Sequence, residues 1–78
     1  MMKLTLDREA NAAYVYVTER PVARTRELDE NRILDLDSDG EVRGIEFLNV
    51  SHGVHLAGLP FPNELAKLFE GHDIREYA

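Results

Sequence analysis

The feature of this sequence that most constrains its fold is a repeated alternation of apolar and polar residues with a period of two. Such alternation is typical of half-buried strands, because successive side chains of a strand point to opposite faces of the sheet. It recurs in five short stretches, which are separated by turn-forming residues: MKLTLD, AAYVYVT, VARTREL, RILDLD and EVRGIEFLNV. The sequence therefore predicts an antiparallel meander of about five short strands.

Three backbone features follow from the same stretches. Asn11 tolerates a left-handed conformation and is expected to end the first turn. VARTREL is charged and weakly apolar, as expected of a strand at a sheet edge. Val42 and Ile45 are both apolar but three residues apart, so an unbroken strand would place them on opposite faces. One extra residue between them would turn both towards the core, which predicts a β-bulge at Gly44.

The alternating pattern typical of strands ends after Val50. The stretch NELAKLFEG predicts a short helix with Asn63 as its N-cap and Gly71 at its end. A helix of two turns is not stable alone in water, so its apolar stripe (Leu65, Leu68 and Phe69) must dock on another surface. The fold class is therefore α+β and β-rich. The predicted single domain spans 1–78, with a sheet core (3–51), a loop (52–62), a helix (63–70) and a tail (71–78).

Charge and composition exclude several classes of function. The chain has no cysteine, so it has no disulfide, thiol nucleophile or thiolate metal site, and a reducing cytoplasm is the expected location. Eight acidic residues but only two basic ones lie between Glu27 and Glu46, and this segment accounts for the whole net charge of −6. Nucleic acid is therefore not an expected partner, because phosphates repel such a surface. No apolar run has the length of a membrane span.

The acidic segment contains DLDSDGEVRGIE, which matches every position of the calcium-binding EF-hand loop. An EF-hand needs a helix on each side of its loop, whereas both flanks here alternate as strands do. We therefore interpret DSDG as a hairpin turn in which Gly40 takes a positive φ, with at most a weak surface site for cations. As a surface, this segment (Asp35, Asp37, Asp39 and Glu41) is a candidate for binding a basic partner protein, although it is more simply explained as a solvated rim that keeps a small protein soluble.

Other candidates for chemistry are sparse, and neither a catalytic residue, a metal site nor a cofactor is predicted. The histidines (His52, His55 and His72) have no carboxylate at ligand spacing and are expected on the surface. Tyr14, Tyr16 and Glu46 are the candidate ligand-binding residues of an alternative function, a small-ligand-binding or minor enzymatic role, in which they and the histidines line a pocket between sheet and helix. Glu46 lies in an apolar strand, where it is more simply explained by a pairing with an arginine on a neighbouring strand.

The blocks LTLDREANAAYVYV and ELDENRILDLDSDGEVRGIEFLNVS resemble a small bacterial and archaeal family catalogued as domain of unknown function 2283. The resemblance covers about residues 3–51 and is most specific at the turn Asp37–Gly40 and the following Gly44-Ile45-Glu46. Asn11 stands where members usually carry an aspartate. The resemblance implies a small β-rich fold without an established activity. Members are often encoded beside small toxin-like proteins, which suggests an antitoxin or partner-binding role.

The expected function is therefore that of a non-catalytic interaction module. We also expect a homodimer, because a five-stranded sheet with one short helix leaves one face and two edges uncovered. The strand that carries Tyr14 and Tyr16 has apolar or aromatic groups on both faces, which makes it a candidate for the contact.

Overall fold

A computed structural model describes residues 2–77. The elements in chain order are β1 (Lys3–Asp7), β2 (Ala12–Tyr16), β3 (Arg24–Asp29), β4 (Arg32–Leu36), β5 (Val42–Leu48), a 3₁₀ turn (Val50–His52), β6 (Val54–His55), α1 (Pro62–Gly71) and β7 (Glu76–Tyr77). The first five strands form one antiparallel sheet. The predicted fold class, strand number and C-terminal helix are confirmed.

The order of the strands differs from the predicted meander. It is β1-β2-β5-β4-β3, so β5 lies in the centre, between β2 and β4. The connection after β2 does not turn back on itself. Instead it passes the end of β5, where the N–H groups of Val17 and Thr18 both donate to the carbonyl of Arg43. It then reaches the far side of β4, where the N–H of Ala23 donates to the carbonyl of Leu36. Residues 17–23 are thus long enough to carry β3 to the opposite edge, and Pro21 keeps them out of the sheet.

Two of the backbone predictions concern single positions, and both are confirmed. Asn11 has φ of 54° and ends the turn between β1 and β2. In β5, Gly44 pairs with Asp35 while Val42 pairs with Leu36, so Arg43 is the extra residue of a bulge. The bulge turns Val42 and Ile45 to the same side, where both contact the core. The predicted edge strand is also confirmed, since β3 is an outermost strand.

The core lies between one face of the sheet and the chain that follows β5. Leu65 and Phe69 of α1 are fully buried, and the ring of Phe69 meets that of Phe47 edge to face at 4.8 Å. No helix in residues 2–77 has the length and apolar character needed to cross a membrane.

The helix begins and ends differently from the prediction. Its N-cap is Phe61, whose carbonyl accepts from the N–H of Leu65, and Asn63 lies inside the first turn. Pro62 explains the earlier start, because its fixed φ suits the first helical position. At the other end Gly71 is still helical, and Asp73 takes the left-handed conformation instead.

The segments predicted as loop and tail contain regular structure. Val54 and His55 form β6, which pairs in parallel with β7 at Glu76 and Tyr77. The segments before and after α1 are therefore joined to each other by backbone pairing.

Candidate functional site

Tyr14 and Tyr16 lie on the face of the sheet that α1 does not cover. Val15, between them, is fully buried in the core, so the two tyrosines point the opposite way. Glu46 is directly opposite Tyr14 in the register and precedes Phe47, which contacts α1. The alternative prediction of a pocket between sheet and helix is therefore wrong for these residues, although they do lie close together. We call this surface the tyrosine face, and it comprises Tyr14, Tyr16, Thr25, Asp35, Arg43 and Glu46.

The position of the Tyr14 ring depends on Gly44. Gly44 occupies the same row of the sheet as Tyr16 and Asp35, one strand away from each. Because glycine has no side chain, the ring of Tyr14 crosses directly over it, and a Cβ atom at this position would overlap the Tyr14 hydroxyl. Because Gly44 has no side chain, the Tyr14 side chain can cross over the surface of β5 and reach Asp35 on β4.

Hydrogen bonds fix this arrangement. Tyr14 Oη donates to Asp35 Oδ2 at 2.7 Å and accepts from Arg43 Nη1 at 2.9 Å. Thr25 Oγ1 donates to the other carboxylate oxygen, Asp35 Oδ1, at 2.8 Å. Partial burial and the bond to Asp35 raise the pKa of Tyr14 to about 12. Tyr14 is therefore a neutral hydrogen-bond donor at ordinary pH, with a structural role, and is poorly suited to act as a base or nucleophile.

Arg43 joins the two aromatic rings. Its guanidinium carbon lies 5.1 Å from the Tyr16 ring centre and 5.8 Å from that of Tyr14, within the range of cation–π contacts. The rings meet edge to face at 4.7 Å, and Arg43 Nε also donates to the carbonyl of Arg20 at 2.8 Å. Tyr16 is the outermost member, with 36% of its surface exposed. The result is a rigid patch of tyrosine and arginine, residue types that are enriched at protein interfaces.

The acidic segment does not form one continuous surface. Asp37 is only 3% exposed, and its Oδ1 accepts from the backbone N–H groups of Asp39 and Glu41. Arg20 Nη1 bridges Asp37 and Asp39, at 3.0 and 2.8 Å. Burial acts to raise the pKa of Asp37, but the hydrogen bonds from Glu41, Arg20 and Asp39 outweigh it and hold this pKa below its usual value.

The four predicted acidic residues therefore have different surroundings. Asp35 belongs to the tyrosine face, Asp37 caps the turn, and Asp39 and Glu41 remain exposed. The turn joins two strands and Gly40 has φ of 82°, so the hairpin interpretation is confirmed and the helices of an EF-hand are replaced by β4 and β5. Residues 2–77 contain no group of three or more histidine, cysteine, aspartate or glutamate side chains arranged to hold a metal ion.

The histidines lie in separate elements that follow β5 in the chain. His52 ends the 3₁₀ turn, His55 belongs to β6, and the exposed His72 follows α1 with its Nδ1 2.9 Å from the Leu68 carbonyl. They do not join Tyr14 and Tyr16 in a site.

A groove of about 700 Å³ runs along the tyrosine face beside Tyr14. It is bordered on one side by the turn after β1 and on the other by Glu46. Three carboxylates line it (Asp7, Glu9 and Glu46), against one basic side chain, Arg8. The groove is therefore suited electrostatically to a basic group.

One buried charge was not singled out from the sequence. Arg32 is 9% exposed, pairs with Asp29 at 2.8 Å and donates to the carbonyl groups of His55 and Ala57. It thereby ties the chain after β5 to the sheet. The signal was present in RILDL, since alternation places Arg32 on the same inward face as Leu34.

The fold and the site together define a small α+β protein with an ordered, solvent-facing patch on an antiparallel sheet. A family model described as "Protein of unknown function (DUF2283)" matches residues 3–51, more than half of the chain. The chain belongs to this family. The match contains all five strands of the main sheet, and α1 lies outside it. Comparison with curated proteins found no match, and neither did comparison with solved structures.

Proposed function

We propose that the protein is a non-catalytic interaction module that forms a homodimer and presents the tyrosine face to a protein partner with basic groups. The observation that carries this proposal is the organisation of an uncovered surface. Tyr14 is held by hydrogen bonds to both Asp35 and Arg43, although the face has no covering layer within residues 2–77. Ordering side chains before binding reduces the entropy lost on association, so such a patch is suited to recognition.

The chemical state of the patch favours binding over catalysis. Tyr14 holds its proton up to a pKa of about 12, and both oxygens of Asp35 accept hydrogen bonds from neighbouring side chains. Neither group is poised to take a proton from a substrate at ordinary pH.

Charge favours a basic partner. Asp7, Glu9 and Glu46 line the groove beside Tyr14, while Asp39 and Glu41 are exposed on the turn between β4 and β5, at the other end of these strands. An antitoxin-like role, as the family resemblance implies, is one form of this function, with a basic toxin as the partner.

The experiment is co-purification of the protein with the product of the neighbouring gene, using two matched charge reversals. Glu46→Lys reverses a charge beside Tyr14, and Glu70→Lys makes the same change on the exposed side of α1. We expect Glu46→Lys to abolish co-purification and Glu70→Lys to leave it intact. Equal retention of the partner by both variants would contradict binding at the tyrosine face.

A further inference from the structure

We infer that a second copy of this chain pairs with the free edge of β1, antiparallel, about a two-fold axis at Thr5. The inference rests on the proposed function, which takes the protein to be a homodimer, and it adds the identity of the interface. In the sheet, β1 pairs with β2 on one side only, and no other strand in residues 2–77 pairs with its outer edge.

The direction of the backbone groups follows from the neighbouring strands. The N–H of Val17 donates to Arg43 at the end of β5. The backbone N–H and C=O groups of odd-numbered residues of β2 therefore point towards β5, and those of even-numbered residues point towards β1. Tyr14 is opposite Thr5, which makes Thr5 one of the residues bonded to β2. The N–H and C=O groups of Leu4 and Leu6 therefore point to the free edge, where they are available to a further strand.

An antiparallel pairing centred on Thr5 satisfies these groups. It places Leu4 opposite Leu6 of the second copy, and Leu6 opposite its Leu4. These are the two pairs that would exchange backbone hydrogen bonds, giving four bonds in total. Thr5 then meets its own counterpart in a pair without backbone bonds, where side chains approach closely.

The charges at the ends of β1 are complementary in the same register. Lys3 would lie opposite Asp7 of the second copy, and Asp7 opposite its Lys3, so two ion pairs would form between the copies. Both side chains are exposed and lie on the same face as Thr5. Asp7 Oδ1 accepts from the N–H of Ala10, and a carboxylate has capacity for further donors. Opposite charges directly across two strands stabilise the pairing, whereas like charges oppose it.

The other edge of the sheet is less suited to pairing. In β3 the consecutive residues Arg24, Thr25, Arg26 and Glu27 are all exposed, and three of the four are charged. Its register also shifts between Glu27 and Asp29. Charged side chains and bulges are the devices by which edge strands resist pairing. Joining two copies at β1 instead gives one sheet of ten strands, with both tyrosine faces on the same side.

The test uses charge reversal and sedimentation velocity over a range of about 5 to 500 μM. Pairing through two short edge strands buries a small area, so the dimer is expected to be of modest affinity. Lys3→Glu and Asp7→Lys each place like charges opposite one another, and each is expected to raise the dimer dissociation constant at least about tenfold. An equimolar mixture of the two variants restores both ion pairs in a heterodimer, so it is expected to associate like the unmodified chain.

Two control variants distinguish a dimer formed at the edge of β1 from a dimer formed at another surface. Glu27→Lys makes a charge reversal on β3. Tyr16→Ser removes the exposed ring from the tyrosine face without adding a charge beside Lys3, which is opposite Tyr16 in the register. Both variants are expected to leave the dissociation constant unchanged. Loss of the dimer in Tyr16→Ser, with Lys3→Glu unaffected, would overturn the edge inference and leave the homodimer standing. A monomer at every concentration of the unmodified chain would overturn the homodimer itself.

A cross-link gives a second measurement that does not depend on the stability of the charge variants. The chain has no cysteine, so Thr5→Cys introduces a single thiol at the two-fold axis. Cysteines in directly opposed positions without backbone bonds are close enough to form a disulfide. Mild oxidation is expected to convert most Thr5→Cys protein, but little Glu27→Cys protein, to a covalent dimer. Equal cross-linking of both variants would contradict pairing at β1.

Discussion

At the scale of single residues, Gly44 determines whether the tyrosine face forms. Gly44→Ala places a Cβ atom where the Tyr14 hydroxyl lies, so either the ring or the strand must move. We expect a loss of about 1–3 kcal/mol in the free energy of unfolding, measured by urea denaturation. Gly71→Ala is the matched control, because Gly71 has open space around it at the end of α1, and the change is expected to alter the free energy of unfolding by less than about 0.5 kcal/mol. Equal effects of the two changes would contradict the role given to Gly44.

The raised pKa of Tyr14 predicts how stability depends on alkaline pH. The unfolded chain releases this proton near pH 10 and the folded chain near pH 12, so the folded state holds more protons between these values. The contribution of Tyr14 to stability is therefore complete below pH 10 and is lost as the pH rises towards 12. Tyr14→Phe is expected to flatten this part of the profile of unfolding free energy against pH. An unchanged slope in the variant would contradict the burial and bonding assigned to Tyr14.

At the scale of elements, the turn between β4 and β5 is held by its own side chains and by Arg20. Asp37 and Asp39 share Arg20, and Asp37 also accepts from the backbone. Calcium would have to displace these contacts, so millimolar calcium is expected to shift the melting temperature by less than about one degree. Differential scanning fluorimetry measures this shift. An increase of several degrees that Asp39→Ala removes would restore calcium binding as a function of the turn.

Most elements were predictable from local patterns, and the main error, the order of the strands, concerns contacts between distant residues. Alternation located the five strands, and the spacing of Val42 and Ile45 located the bulge. The central place of β5 was not predictable, because strand order depends on long-range packing and the local pattern of each strand is the same in either order. The helix start was misplaced for a local reason, since Pro62 is a stronger signal than Asn63.

The candidate site was predictable only in part. Alternation placed Tyr14 and Tyr16 together on one face, and the sequence singled out Glu46 as well. The bond from Tyr14 to Asp35 joins residues 21 positions apart, across a strand whose glycine allows it. Local sequence patterns do not reveal contacts between residues that are so far apart along the chain. Asp37 was grouped with its acidic neighbours, because charge in a sequence does not distinguish an exposed carboxylate from one that caps a turn.

At the scale of the whole molecule, the C-terminal segment is attached to the sheet through Arg32 and through the packing of α1. Arg32→Ala leaves Asp29 and the carbonyl groups of His55 and Ala57 without this donor. Because Arg32 is largely buried and its loss leaves these carbonyl groups without their donor, we expect a loss of about 1–3 kcal/mol in the free energy of unfolding. Amide hydrogen exchange is expected to show lost protection in β6 and α1 before β5. Uniform loss of protection across the chain would contradict this local role.

The central claim is that this small sheet acts as a homodimer, and its mass in solution tests it most directly. One chain has a mass of 8.9 kDa, so two chains have twice that, 17.8 kDa. The account predicts that light scattering at rising concentration gives a mass that increases towards the value for two chains. A mass that stays at 8.9 kDa up to about 500 μM would contradict it, because a dimer with a micromolar dissociation constant would be largely formed at that concentration.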